Sequence, residues 1–511
     1  MADLSDSEDA SNAASEEVSK RDVQIASMDR DFSSYTHDGN FSVYFKLIHN
    51  RREAEEDIRV DTFFPDFVHQ FFVDSERIFG YKKPVLRFFY TASRLKRYVK
   101  FDYEDKLTRE RDGIEADDVM RYLSPVLEDM EYTQDLNQFL SEVESVDEKE
   151  FRPPGNLLHE FSCPYKKPAM LSRAQLEQLE MAGECRVNSK PKINGTQSTT
   201  QNGTSNGQIS DTQPSTSTNS TLATNEADNT SPCTKQYQIY HANVDSKGFG
   251  QYQARMQSLI MWFIESATKV DYEDPRWDFF MIFEKFNPTT SHDPQATPVS
   301  TEDRYFFAGY ATVYRYYAYP DRSRPRVSQM LLLSPYRRNG LGTTLLQVIY
   351  DYYKKQPATL DITAEDPDEE FIAMRDFLDC RNCLFLPMFQ PDRLKRGWSD
   401  EIAKEAQDKL RLCQRQSRKV YEILKLMNTD MSNEEESRKY RLEIKSRLNI
   451  PHQRLKLDCD KVEKLGYELP EEMRIQRDNQ KLAAASLEEN YQELVRQYQH
   501  TIVKLNQYRA R

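Results

Sequence analysis

The sequence predicts an α+β protein in three folded parts: an N-terminal mixed α/β domain, a core domain with a central mixed sheet, and a helical C-terminal region. Three observations predict it. The stretches FFPDFVHQFF and VLRFFYTASRLKRYVKFDYE have the aromatic density of a folded α+β domain. The run from Val327 to Asp366 reads strand, glycine-bearing turn, helix, strand, which is the pattern of a βαβ unit. Beyond Arg393 nearly everything is charged, with apolar residues at helical spacing. At 511 residues and 38 % hydrophobic content, the chain can fill two or three separate cores.

Residues 1–38 are polar and acidic and are expected to be disordered. Residues 39–165 form the N-terminal α+β domain. Residues 186–232 are almost purely Asn, Ser, Thr, Gln and Gly, too poor in apolar area to offset the entropy of ordering. This tract reads as an insertion and not a domain boundary, because the apolar patterning is of one kind on both sides. Residues 237–390 make the core domain. There QSLIMWFIESA has helical spacing, WDFFMIFEKF reads as a buried strand, and YFFAGYATVYRYYAYP reads as a long strand, with a polar hairpin loop between the last two. VSQMLLL is then a strand, SPYRRNGLG a turn, TTLLQVIYDYY a helix and LDITAED a strand. In residues 391–511, Leu487, Tyr491, Leu494, Tyr498 and Leu505 recur at three-, four- and seven-residue spacing, which suits a helical hairpin or a coiled coil.

Composition narrows the function. A formal net charge of -13 disfavours non-specific attraction to nucleic acid or anionic lipid and suits a basic partner. No apolar run reaches the ~18 residues a membrane-spanning helix needs, and the acidic start is not a secretory signal. A place in nucleus and cytoplasm is expected. Of seven cysteines, only Cys380 and Cys383 approach ligand spacing; without a second pair they read as idle thiols, and no metal is expected.

A small-molecule site is expected at the turn of the βαβ unit. Arg337, Arg338, Asn339, Gly340, Leu341 and Gly342 lie between strand and helix. Gly340 and Gly342 lack Cβ, so the backbone can bend tightly and aim its N–H groups at one spot. The positive end of the following helix adds to that field and suits a pyrophosphate. The glycines do not spell a triphosphate P-loop, and the dinucleotide fingerprint is missing too.

Arg337-x-x-Gly340-x-Gly342 after an apolar strand resembles the acetyl-coenzyme A signature of the GNAT acetyltransferase superfamily. QSLIMWFIESA, WDFFMIFEKF, YRYYAYPDRSRPRVSQMLLLSP and LDITAEDP, with FFPDFVHQFF and FGYK upstream, are similar to the catalytic subunit of type B histone acetyltransferases. The resemblance implies acetyl-CoA as cosubstrate, its pantetheine arm along Met330, Leu331 and Leu332 and its diphosphate on the amides from Arg337 to Thr343. It implies transfer to lysines of free, newly made histone H4, with H2A as a further substrate and a small amine or non-histone protein as the alternative. It also implies a histone-binding WD-repeat chaperone as partner.

A lysine ammonium, with pKa ~10.4, must lose a proton before it attacks a thioester. The resemblance favours Glu365, at the end of LDITAED, as the base; the rival Asp366 reads first as a helix cap, followed by Pro367 and Glu369. The acidic cluster Glu365, Asp366, Asp368, Glu369 and Glu370 suits a basic tail. By resemblance, peptide contacts fall at Tyr314, Arg315 and Tyr316 and at Asp74, Ser75 and Glu76, although Arg315 and Ser75 depart from the family pattern. Glu273-Asp274-Pro275-Arg276 also departs from it, which leaves no auxiliary carboxylate assigned there.

Overall fold

The computed structural model describes residues 32–56, 61–72, 76–127, 131–166, 234–287, 302–475 and 487–510. Most of the polar N-terminus, the whole 186–232 tract, Asp74 and Ser75 lie outside them.

Aromatic and β-branched runs build the N-terminal sheet from β1 (Val43–Ile48), β2 (Val85–Thr91), β3 (Arg97–Asp102) and β4 (Tyr132–Thr133), in that spatial order. β1 and β2 are parallel, β2 and β3 antiparallel, β3 and β4 parallel. One face is covered by α1 (Leu136–Glu144), whose Phe139, Leu140 and Val143 pack on Phe89 and Tyr98. On the other, Phe45 and Phe88 meet the indole of Trp262, and Phe45 also meets the ring of Phe263 and stacks on Tyr90. The segment FFPDFVHQFF is irregular; it inserts Phe63, Val68, Phe71 and Phe72 into that seam, with Phe71 stacked 4.0 Å from Trp262. The first two parts of the chain therefore share one continuous apolar core.

The central sheet is mixed, as expected. It comprises β5 (Asn156–Pro164), β6 (Thr234–Ala242), β7 (Trp277–Phe286), β8 (Arg304–Ala318), β9 (Arg322–Leu332) and β10 (Thr363–Ala364), ordered β10-β9-β8-β7-β6-β5. All neighbours are antiparallel except β9 and β10, which are parallel. β5, read from composition as the end of the N-terminal domain, is the edge strand of this sheet and pairs with β6 across the polar tract.

Helix α2 (Phe249–Gln257) precedes β7. The apolar run QSLIMWFIESA does not continue it as one helix; it makes a single turn, Ile260–Phe263. The Trp262 carbonyl that would propagate the helix instead accepts the N–H groups of Asp66 and Phe67. Helix α3 (Leu341–Lys354) crosses between β9 and β10, burying Leu345, Leu346, Ile349, Tyr350 and Tyr353 against the sheet. Helix α4 (Glu369–Cys383) follows β10.

The C-terminal region is a bundle of α5 (Asp400–Leu410), α6 (Gln414–Met427), α7 (Glu434–Leu448), α8 (Ile450–Lys464) and α9 (Leu487–Arg509). α9 lays Tyr491, Val495, Tyr498 and Leu505 onto Val420, Leu424, Tyr440 and Ile444 of its own chain, so the repeat seen in the sequence is a packing face inside the molecule. At its centre the fully buried Glu422 carboxylate accepts from Arg418, Arg447 and the Tyr498 hydroxyl. Unpaired, such a charge would be expensive; three donors on three helices hold it. Among the described residues no helix is long and apolar enough to cross a membrane.

Candidate active site

β8 and β9 remain paired as far as Gly309 and Leu332. β9 and β10 share only the Arg326–Thr363 and Val327–Ala364 pairs, closed by the Glu365 N–H on the Val327 carbonyl at 2.9 Å. Beyond that bond the two parallel strands part. Among the described residues, no strand pairs with Met330, Leu331 and Leu332 on the side facing β10, and an unpaired strand edge is a template for an extended ligand. Leu331 points into the core, while Met330 and Leu332 are half-buried toward α3. A Cβ on Gly342 would lie 3.0 Å from the Met374 sulfur, 3.4 Å from Leu332 and 3.7 Å from Met330, so the glycine lets the first turn of α3 close on this slot.

The loop after β9 turns through Ser334–Tyr336 and then takes Arg338 and Gly340 into positive φ, at 64° and 81°. Gly340 caps α3. The N–H groups of Leu341, Gly342 and Thr343 open the helix and have no carbonyl one turn back to bond, and they carry the positive end of its dipole. The side chains of the preceding residues serve the fold. Arg337 donates to the Leu332 carbonyl at 2.8 Å and to Asp66 at 2.6 Å. Arg338 pairs with Glu370 at 2.7 Å. Asn339 takes the Lys166 N–H at 2.8 Å and donates to the Lys166 carbonyl at 3.1 Å.

Glu365 stands at the mouth of the fork. Its carboxylate accepts from the Ser328 hydroxyl at 2.8 Å and has Arg326 at 3.8 Å, with its side chain 38 % exposed. A register shift between β8 and β9 pairs Thr312 with Gln329 and Val313 with Val327, leaving Ser328 as the bulged residue; such a bulge re-aims a side chain. The Arg326 guanidinium lies 4.5 Å over the Tyr316 ring, and Tyr316 packs edge-on to Tyr314 at 4.7 Å. The Tyr314 hydroxyl donates to Asp274 at 3.1 Å. Hydrogen bonds from Arg276 hold the Asp274 carboxyl down to about 2, so it stays anionic. A ribbon of aromatic faces and charges thus runs from Glu365 to Asp274.

Not every expected contact residue joins it. The Arg315 guanidinium faces the other way, toward the buried Asp278 at 3.0 Å, where His241 and Tyr353 also bind. Glu76 sits at φ 51° and accepts from Asn40 at 3.1 Å. The cap of α4 is Asp368, not Asp366: its carboxylate accepts the Phe371 N–H at 2.6 Å. Glu365 is still bonded to β9, so the chain must turn at Asp366, with φ 28°, before the helix can begin. Cys380 and Cys383 are in the C-terminal core, where burial pushes both thiols well above the ordinary value.

Sequence reasoning missed Ser328, Arg326, Met374, Asp66 and Lys166. Ser328 and Arg326 carried a signal, since both lie on the strand that leads into the glycine turn. Asp66 and Lys166 carried none.

A parallel pair of strands that parts beside a helix-opening amide loop is the frame of a GNAT acetyltransferase. The GNAT acetyltransferase family model matches residues 256–374. The model described as the histone acetyl transferase HAT1 N-terminus matches residues 35–265, and the model for the C-terminal part of the type B histone acetyltransferase matches 375–426. The type B histone acetyltransferase catalytic subunits of Mus musculus and Homo sapiens are each 34 % identical over 484 residues, 94 % of this chain and 97 % and 96 % of theirs. A soil-metagenome aminoglycoside acetyltransferase structure shares 11 % identity over 27 % of this chain and 83 % of its own, at a TM-score of 0.19. The chain belongs to the family of type B histone acetyltransferase catalytic subunits. It is an acetyl-CoA-dependent histone acetyltransferase.

Proposed function

We propose that the enzyme acetylates lysines in the N-terminal tail of free, newly synthesised histone H4, with H2A as a further substrate, by direct attack on acetyl-CoA. The observation that carries this reading is the fork: an unpaired strand edge at Met330–Leu332, an amide-lined loop from Arg337 to Thr343 at one end, and the Glu365 carboxylate at the other. In this reading the pantetheine arm completes the edge of β9 and the diphosphate meets the loop amides.

The lysine ammonium first gives a proton to Glu365, directly or through one water. The neutral amine then attacks the thioester carbonyl, the carbon–sulfur bond breaks, and the proton the amine nitrogen sheds passes to the departing sulfur, so coenzyme A leaves as its thiol. Cys380 and Cys383 are too deep to carry the acetyl group, which supports transfer in one displacement. Tyr314, Tyr316 and the acidic residues after Glu365 suit the flanking basic residues of a histone tail. Arg315 is left out of this groove. The acidic whole suits a histone substrate better than DNA. The family reading extends to a histone-binding WD-repeat chaperone as partner and to a place in nucleus and cytoplasm.

Transfer of radiolabelled acetyl to free H4, nucleosomes and polyamines tests the proposal. Labelling of free H4, with little on nucleosomes and none on polyamines, is expected. Turnover of a polyamine at or above the rate for H4 would overturn the histone-tail assignment in favour of a small-amine enzyme.

A further inference from the structure

Both arginine side chains of the phosphate loop are already paired. Arg337 is held by Asp66 and the Leu332 carbonyl, and Arg338 by Glu370, so neither arginine offers an uncommitted cation to a coenzyme that carries several phosphate charges. A third cation comes from elsewhere in the chain. Directly after β5, Tyr165 and Lys166 dock on the loop: the Tyr165 hydroxyl donates to the Pro335 carbonyl at 3.3 Å, and Asn339 grips both the N–H and the carbonyl of Lys166. Tyr165 is itself anchored by the Lys235 ammonium 3.9 Å over its ring. Lys166 is exposed, and among the described residues no carboxylate lies within ion-pair distance of its ammonium.

We propose that Lys166 is a phosphate-binding residue for acetyl-CoA, supplied from outside the strand–loop–helix motif and placed there by the two-point clamp from Asn339. The inference rests on the coenzyme seating proposed above. Its chemistry is that of a lysine ammonium with a phosphate oxygen, either of the diphosphate or of the ribose 3′-phosphate.

Acetyl-CoA affinity of the full-length enzyme, measured by calorimetry at low and at physiological salt, tests it. Lys166→Ala should weaken binding about five- to tenfold at low salt and less at higher salt, because salt screens an exposed pair. Lys166→Arg should restore most of the loss. The KM for acetyl-CoA should rise in step, while the KM for histone at saturating acetyl-CoA stays put. Lys439→Ala, which removes an exposed lysine from α7, is the control for net charge. With 3′-dephospho-acetyl-CoA, a vanished difference between Lys166→Ala and wild type assigns the contact to the 3′-phosphate; a persistent one assigns it to the diphosphate. Equal affinities of Lys166→Ala and wild type at low salt, or an equal loss in the Lys439→Ala control, would overturn the inference while leaving the enzyme's function intact. Wild-type protein that binds no acetyl-CoA would instead overturn the seating itself.

Discussion

Glu365 is held at one oxygen by Ser328 and approached at the other by Arg326, so its direction is set by the strand beside it. Ser328 can do this only because the bulge in β9 leaves it out of the ladder with β8. Removing the hydroxyl leaves the carboxylate free to rotate. Ser328→Ala should lower kcat about three- to tenfold, the worth of one ordinary hydrogen bond at a partly exposed carboxylate, and leave acetyl-CoA affinity within twofold of wild type. Steady-state kinetics check this; an unchanged kcat would show that Glu365 needs no help in pointing. Residues whose placement depends on near neighbours were legible in the sequence: Gly340 and Gly342 in the turn between strand and helix, Glu365 at the strand end. The cap of α4 was misplaced by two residues, because the bond from Glu365 to β9 delays the helix and no local pattern records that bond.

At the level of elements, the fork opens because α4 pulls the chain away from β9 as soon as β10 ends. Arg375 of α4 donates to the Ile362 carbonyl at 2.9 Å, tying the helix to the approach to β10, and pairs with Asp379 at 3.4 Å. Burial pushes the Asp379 carboxyl up to about 6, against the pull of Arg375. An unfolded aspartate titrates at about 3.9, so the folded protein holds this proton more tightly. The stability from it is fully present below about 4 and is lost as pH rises through about 6. Asp379→Asn has no such proton. The melting temperature of the variant relative to wild type should therefore rise between pH 4 and pH 7, the range in which the ordinary and shifted values lie. Parallel melting curves across that range would place the carboxyl at its ordinary value. The strand–turn–helix–strand order of this region was readable from periodicity alone; the single-turn break at Ile260–Phe263 was not, since its cause is a pair of N–H groups about two hundred residues upstream.

Across the whole molecule, the site is assembled from segments far apart in sequence. Arg337 meets Asp66 over 271 residues, and Asn339 meets Lys166 over 173. The N-terminal sheet shares its core with α2 and the Trp262 turn, and the C-terminal helix α9 packs on α4 through Tyr508 and Phe377, so the N-terminal part braces the core domain and the C-terminal part braces the helix that follows Glu365. Composition and periodicity indicated a mixed sheet followed by a helical C-terminal region but not the seams between them: β5 belongs to the central sheet, and α9 packs on its own chain.

The central claim is that this bracing aims Glu365 at a lysine beside an acetyl-CoA seated in the fork. Turnover of Glu365→Gln with saturating acetyl-CoA and free histone, measured alongside its acetyl-CoA affinity, tests that claim most directly. The account predicts kcat lower by about a hundredfold or more, the usual worth of a general base, with affinity unchanged. Turnover close to wild type under those conditions would contradict it.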